Sequence, residues 1–455
     1  IRRFSSASTA TALKKIPSRS EGRLYPRLSA LGNRRGTVAS TLNAYVREGN
    51  RVLKHDLDFC IHQLRRYKRY HHALEIVEWM RFRKFNFKLR DHAVNLELIG
   101  RVKGIAEAED YFNALPPSDK VPCTYGALFN CYCIEKLIHK SQSLFTKMVQ
   151  EKMMLTASPW NCLMSMYLRL DMPDKAIILR KQMQEMNVRP DSFTFNLLMN
   201  AFSSSNDIEG VERVYEETKL LNGGKLCNWM TYSNLAVAYI SGNQQGKAKL
   251  ALKKLEETLQ MDRRYDREAF HFLISLYARL SDVENVVRVW ELLKSSSRVV
   301  TNKSYLIMLQ ALRNLDDLKG MQQCFEEWES ICTSYDIRLV NTMVATYLKH
   351  DMLDRARALL PRVLHGSKGP FFNTWDMFML FFIEHGDADL AISMMDVASP
   401  KVKGGDWNPE PEAFERFLTD RDKILDINLV KELYESVKKM ASKDSPAYKY
   451  LLHVY

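Results

Sequence analysis

A pattern that returns about every 35 residues constrains this 455-residue chain more than any other feature. Between Ser158 and Asp191, the aromatic and apolar residues Trp160, Leu163, Met164 and Tyr167 fall on one helical face. A break at Asp171-Met172-Pro173 follows, with the proline where the start of a helix tolerates its missing N–H. A second stripe of Ala176, Leu179 and Met183 then runs until Pro190 ends it. Upstream, Tyr125, Leu128, Phe129 and Tyr132 precede Leu144, Phe145 and Met148 in the same way. Downstream the motif restarts at Phe195, Tyr232, Phe270 and Tyr305, and further repeats begin at about Lys54, Leu89, Ile337, Phe372 and Pro411. A small residue early in many second helices (Ala73, Ala108, Ala176, Ala248, Ala356, Ala391) lets the two helices of a repeat approach closely. One such repeat is too small to bury its own apolar face and must stack on its neighbours. The expected fold is therefore all-α, an α-solenoid of about eleven helix-turn-helix repeats over residues 54–445, with a long concave surface.

Composition agrees with an elongated array, since a chain of this length exceeds one ordinary core. Hydrophobic residues at 46% and charged residues at 26% exclude general disorder. The low usage of Gly and Pro favours helices joined by short loops. The most apolar stretch, Met377 to Ile383, is far too short to span a bilayer, so no membrane insertion is expected. Eight cysteines without a CxxC pair read as core thiols in a reducing interior. The net charge of +12 is concentrated at one end: residues 1–103 hold 23 Lys and Arg against 8 Asp and Glu. Such a segment suits a polyanion, above all a phosphate backbone. Within the first forty residues, nine basic side chains face only Glu21, the composition of an organelle transit peptide. Arg2-Arg3-Phe4-Ser5-Ser6 resembles the cleavage region of plant mitochondrial presequences, which points to the mitochondrial matrix. The expected organisation is a basic extension over 1–53, the array over 54–445 and a capping helix over 446–455.

The 35-residue repeat, its Arg189-Pro190-Asp191 ending and the lack of Gly at the tetratricopeptide position resemble the pentatricopeptide repeat (PPR) family. The resemblance is strongest from Cys123 to Tyr239. It implies a right-handed superhelix in which each repeat reads one base of single-stranded RNA, through a side chain early in its first helix and another at its end. Carried onto this chain, it implies Asn161 with Asp191 for uracil, Asn196 with Asn228 for a pyrimidine, and Ser233 with Asp266 for guanine. Short polar groups there would meet a Watson–Crick edge while apolar neighbours sandwich the base. An Asn at such positions equally suits a helix cap. Asp58 with Lys88, Ala93 with Val121, His271 with Thr301 and Asn341 with Phe371 give no legible reading. Three legible repeats are too few to define one transcript among many competing sites.

A degraded code beside a basic end suits a clamp on RNA presented in a fixed place. The chain is similar to PPR proteins of plant mitochondrial ribosomes, including Asn43-Ala44-Tyr45-Val46-Arg47-Glu48-Gly49 and His72-Ala73-Leu74-Glu75-Ile76. This implies a structural RNA-clamping component of the small mitochondrial ribosomal subunit, with single-stranded or ribosomal RNA and ribosomal proteins as partners. The alternatives are a free-standing factor that stabilises or processes a mitochondrial transcript, and a protein-binding helical scaffold. Arg65, Arg66, Lys68 and Arg69 interleave with Tyr67 and Tyr70, and with Arg81, Arg83, Lys84, Lys88 and Arg90 they are the phosphate candidates. A solvated charged face is the competing reading of that run.

Nothing in the sequence argues for catalysis. The HxE and PCxxC of a zinc deaminase are missing, as are GxxxxGK[ST], HExxH and GxSxG. Cys131 and Cys133 stand two apart on a helix and His71 and His72 are adjacent, so neither pair shares a face on which to chelate a metal. No cofactor, metal or small-molecule substrate is expected.

Overall fold

The structure, a computed structural model, describes residues 21–32, 35–153, 156–261, 266–297, 299–332, 335–366, 372–384, 389–393 and 427–440, with 445, 449 and 452. Every secondary-structure element among the described residues is helical, in keeping with an α-solenoid. The chain divides into two compact halves, residues 1–227 and 228–455.

The N-terminal half opens with α1 (Glu21–Ala30) and α2 (Val38–Arg47). The repeats follow as α3 (Lys54–Arg66) with α4 (Tyr70–Phe82), α5 (Leu89–Val102) with α6 (Ile105–Asn113), and α7 (Pro122–Ile134) with α8 (Ile138–Gln150). Two more are α9 (Ala157–Arg169) with α10 (Pro173–Glu185) and α11 (Ser192–Ser204) with α12 (Ile208–Leu220). First helices stack on first helices, α5 on α7, α7 on α9 and α9 on α11. The C-terminal half runs α13 (Trp229–Ser241), α14 (Gln245–Met261), α15 (Arg267–Arg279), α16 (Val283–Ser296), α17 (Asn302–Asn314) and α18 (Leu318–Ile331). It continues through α19 (Ile337–Lys349), α20 (Leu353–Gly366), α21 (Phe372–Glu384) and α22 (Ile427–Met440), with α13, α15, α17, α19 and α21 stacked in succession. The repeat start expected at Pro411 and most of the helix expected over 446–455 lie outside the described residues.

Two local devices recur at the repeat period. At the start of a first helix, its third residue accepts the N–H of the residue before the helix: Asp56 from Leu53 (3.1 Å), Asp91 from Lys88 (2.7 Å), Thr124 from Val121 (3.0 Å) and Thr194 from Asp191 (3.1 Å). Each bond satisfies a donor that the helix leaves open. At the other end the chain turns through a left-handed residue: Lys136, Asp171, Asn206, Asn243, Ser281, Asp316 and Asp351 have φ between 55° and 58°. The next N–H then reaches back five residues, as from Leu137 to the Tyr132 carbonyl (3.0 Å) and from Met172 to that of Tyr167 (2.9 Å), the Schellman closure of a helix end. Between the helices, Ala73, Ala108, Ala176, Ala248, Ala356 and Ala391 are all fully buried.

The segment expected as a basic extension contains the helical pair α1/α2, which packs on the first repeat. Leu24, Leu28, Val38, Leu42 and Tyr45 are buried there. The pair is also pinned by polar contacts. The Arg69 guanidinium donates to the carbonyls of Ser29 (2.8 Å) and Gly32, while the Glu75 carboxylate accepts from the Gly36 (2.8 Å) and Val38 (3.1 Å) amides. Trp79 Nε1 donates to Asn43 Oδ1 (2.9 Å). The pair covers the face that the first repeat would otherwise leave open, as end caps of repeat arrays do.

Candidate nucleic-acid interface

The six positions implied to read bases all sit at starts of first helices. Asn161, the fifth residue of α9, is 3% exposed. Its Nδ2 donates to Asp191 Oδ1 (3.0 Å), and its Oδ1 lies 2.8 Å from Thr194 Oγ1. Asp191 in turn caps α11 by accepting the Thr194 N–H (2.8 Å). Burial pushes the Asp191 carboxyl up, but the bonds from Thr194 and Asn161 outweigh it and hold the group below its ordinary value. That carboxylate also fixes the amide's orientation, because a rotated amide would point its oxygen at another oxygen. Asn196 is 4% exposed on α11. In the other half, Ser233 is 2% exposed on α13, and Asn228 caps that helix by accepting the Thr231 N–H (3.2 Å). Asp266 caps α15 through the Glu268 N–H (3.1 Å) and accepts from Trp229 Nε1 (3.0 Å).

The contact at Asn161 is one of a series. His271 Nε2 lies 2.9 Å from Ser304 Oγ, and Asn341 Oδ1 accepts from Thr374 Oγ1 at 2.6 Å, each across 33 residues like Asn161 and Thr194. The fifth helical residue of one repeat is thus tied to the third helical residue of the next. His271 is buried, which holds its imidazole below the ordinary pKa against the opposing pull of Glu268.

The phosphate candidates separate into two groups. Arg65 pairs with Glu97, Arg69 holds the α1/α2 pair, Arg83 donates to Asn43 Oδ1 (3.2 Å) and lies over the Trp79 ring, and Arg81 lies over the Tyr111 ring (5.5 Å). The side chains of Arg66, Lys68, Lys84, Lys88 and Arg90 are exposed and form no hydrogen bond or ion pair among the described residues.

Beyond Arg66, already a phosphate candidate, sequence reasoning missed a further set of cations. The last turn of several first helices carries an exposed basic residue: Arg66, Arg101 and Arg169 in the N-terminal half, and Arg279, Arg313 and Lys349 in the C-terminal half. Part of the reason is local, since a cation complements the partial negative charge of a helix C-terminus. The signal was present as a basic residue recurring near the repeat period, hidden for Arg101 by the basic excess of residues 1–103 and for Arg169, Arg279, Arg313 and Lys349 by the slightly acidic balance of the rest.

Cys60, Cys131, Cys133 and Cys324 are buried, Cys162, Cys227 and Cys332 are half-buried, and Cys123 is exposed. Burial pushes the thiols of Cys60, Cys131 and Cys324 up to about 12. No group of three or more His, Cys, Asp or Glu among the described residues is arranged to hold a metal ion.

Comparison with known proteins follows the same period. Residues 123–153 and 193–222 match the PPR repeat, and residues 156–204 match the PPR repeat family. A mitochondrial pentatricopeptide repeat-containing protein of Arabidopsis thaliana is 39% identical over 435 residues, which is 95% of this chain and 80% of that one. A second from the same plant is 37% identical over 99% of this chain and 88% of its own. The large ribosomal subunit protein mL101 of Arabidopsis thaliana is 34% identical over 91% of this chain and 84% of its own. With helix pairs repeating at this interval and a relative 39% identical over 80% of its own length, the chain belongs to the pentatricopeptide repeat family.

Proposed function

We propose that this protein binds RNA as a structural clamp of the mitochondrial ribosome, gripping the backbone more than it reads the bases. One observation carries the reading: Asn161, Asn196 and Ser233 are buried, while the cations at the ends of first helices and at Lys68, Lys84, Lys88 and Arg90 are exposed. Contacts to phosphate give affinity without sequence information, which suits RNA already held in place by an assembly. The mitochondrial relatives support a matrix location, and mL101 supports the ribosomal assignment. The small subunit was the assignment expected from sequence, and mL101 is named as a large-subunit protein.

Sedimentation of mitochondrial extract tests the reading. The protein is expected to migrate with intact ribosomes at high magnesium and to follow one subunit when low magnesium separates them. That peak decides between the subunits. Migration at the top of both gradients would sink the ribosomal assignment. It would favour a free-standing transcript factor. If ultraviolet crosslinking recovers no RNA from either fraction, the protein-binding scaffold prevails.

A further inference from the structure

We propose that the edge of the first repeat formed by the end of α4 and the starts of α3 and α5 rests on an anionic phospholipid bilayer, with Phe82, Leu53 and Leu89 dipping into its headgroup layer. This surface is separate from the RNA reading and does not depend on it. Lys84 and Lys88 pass from the RNA phosphate candidates to lipid phosphates, while the end of α3, with Arg66 and Lys68 beyond it, lies at the opposite edge and stays with RNA.

Hairpin geometry brings these side chains together. α3 and α4 pack as antiparallel neighbours, so the start of α3 lies beside the end of α4. Lys54 ties both to α5, since its ammonium donates to the Asn86 carbonyl (2.7 Å) and pairs with Asp91 (2.5 Å). Phe82 is 82% exposed, more than any other large apolar side chain among the described residues, and Leu53 and Leu89 are 40% and 41% exposed. Around them the charge is one-sided. The Arg51, Lys84 and Lys88 side chains are exposed and form no hydrogen bond or ion pair among the described residues. The carboxylates at this end already have partners: Asp91 has Lys54, Glu48 has Arg27, and Asp56 accepts the Leu53 N–H and lies 3.3 Å from His55. Asp119, in the next loop along this edge, lies 3.8 Å from His92. Asp58 is exposed, with Arg90 among the cations whose charge acts on it.

A patch that is apolar and rimmed by charge marks a docking surface, and three occupants compete for this one. A nucleotide strand stacks its bases on exposed aromatic rings. Here the neighbouring rings are already engaged: Phe85 packs on Trp79 (6.0 Å between centroids), Phe87 on His92 (5.7 Å), and Arg81 covers Tyr111. Leu53 and Leu89 have no ring to offer. Composition argues against a protein partner, because charged groups are depleted at the core of protein interfaces and lysine is among the residues they avoid. A bilayer accepts both parts of the patch at once. Leucine and phenylalanine enter the boundary between headgroups and acyl chains, and the cations meet anionic headgroups. Neither signal suffices by itself, and together they give reversible attachment to the surface. No helix among the described residues is long and apolar enough to cross a membrane.

Co-sedimentation of the full chain with vesicles tests the edge. Vesicles of equal parts phosphatidylcholine and phosphatidylglycerol should pellet the protein at low salt, and vesicles of phosphatidylcholine alone should leave it in solution. Lys84→Gln with Lys88→Gln should weaken that binding about 25-fold, at about fivefold for each cation. Phe82→Ser should weaken it about tenfold without disturbing the fold, since the ring lies in solvent. Arg66→Gln with Lys68→Gln removes the same charge from the opposite edge and should leave vesicle binding unchanged. Wild-type protein that ignores the anionic vesicles, or an equal loss in both double variants, overturns the proposal. Affinity for a uridine-tract RNA should be the same in F82S as in wild type; a loss there with vesicle binding kept would make Phe82 a stacking platform for RNA and end the lipid reading. If neither ligand responds to F82S, the patch passes to a protein partner and the lipid reading falls as well. A chain that binds the anionic vesicles through Phe82 but binds no uridine tract loses the clamp and keeps this edge.

Discussion

At Asn161 a side chain placed to suggest a base contact is spent on its neighbours. The amide donates to Asp191 and accepts from the Thr194 hydroxyl, whose own oxygen takes the Asp191 N–H. In a buried site each of those bonds matters more through its loss than its presence, because a stranded donor or acceptor keeps its full desolvation cost. Asn161→Ala strands both partners at once. It is expected to lower the stability of the array by about 1–3 kcal/mol in urea unfolding, with a smaller proportional change in affinity for a uridine tract. The reverse outcome, unchanged stability with a clear loss of RNA affinity, would show that Asn161 serves the ligand before it serves the fold. His271 with Ser304 and Asn341 with Thr374 repeat the tie with different chemistry, whereas Ala93 at the corresponding position of α5 has no group to form it.

At the scale of the helix, the apolar stripes and small residues were legible because their spacing alone fixes which face is buried, and Ala73 to Ala391 behave as that spacing requires. The turns were less so. Asn206 and Asn243 are natural left-handed residues, but Lys136 carries no such signal and adopts φ 58° because the Schellman closure around it demands it. The α1/α2 pair was obscured for another reason: Leu24, Leu28, Val38, Leu42 and Tyr45 have helical spacing, but the surrounding arginines and serines read as a transit segment. Arg65 and Arg66 show the limit of a basic run as evidence. Consecutive residues on a helix point in different directions, so one pairs with Glu97 while the other faces solvent. Arg69 is then a structural residue. Arg69→Ala removes both carbonyl contacts that hold the end of α1, and hydrogen exchange over residues 21–47 should rise severalfold, with exchange in α9 and α11 unchanged. Protection that survives in α1 would mean the apolar contacts hold the pair without it.

For the molecule as a whole, net charge is a poor guide to where RNA is gripped, since the positive total belongs to the first 103 residues while exposed cations end first helices in both halves. Counterion release separates these possibilities. Each phosphate neutralised on a single strand contributes about 0.7 to the slope of log affinity against log salt, irrespective of sequence. The side chains of Arg66, Arg279 and Arg313 are exposed and make no hydrogen bond or ion pair among the described residues, so replacing them with Gln leaves the helix contacts intact. The triple variant is expected to reduce that slope by about 2 while its thermal midpoint stays within a degree or so of wild type. Lys181 on α10 and Lys253 on α14 are exposed cations of second helices and provide the comparison, since Lys181→Gln with Lys253→Gln removes charge without touching the first-helix set. A slope that fell equally per charge in both variants would mean RNA responds only to total charge. A slope that fell for the first set alone would locate the phosphate contacts at the C-terminal ends of the first helices, away from the helix starts where the buried side chains tie one repeat to the next.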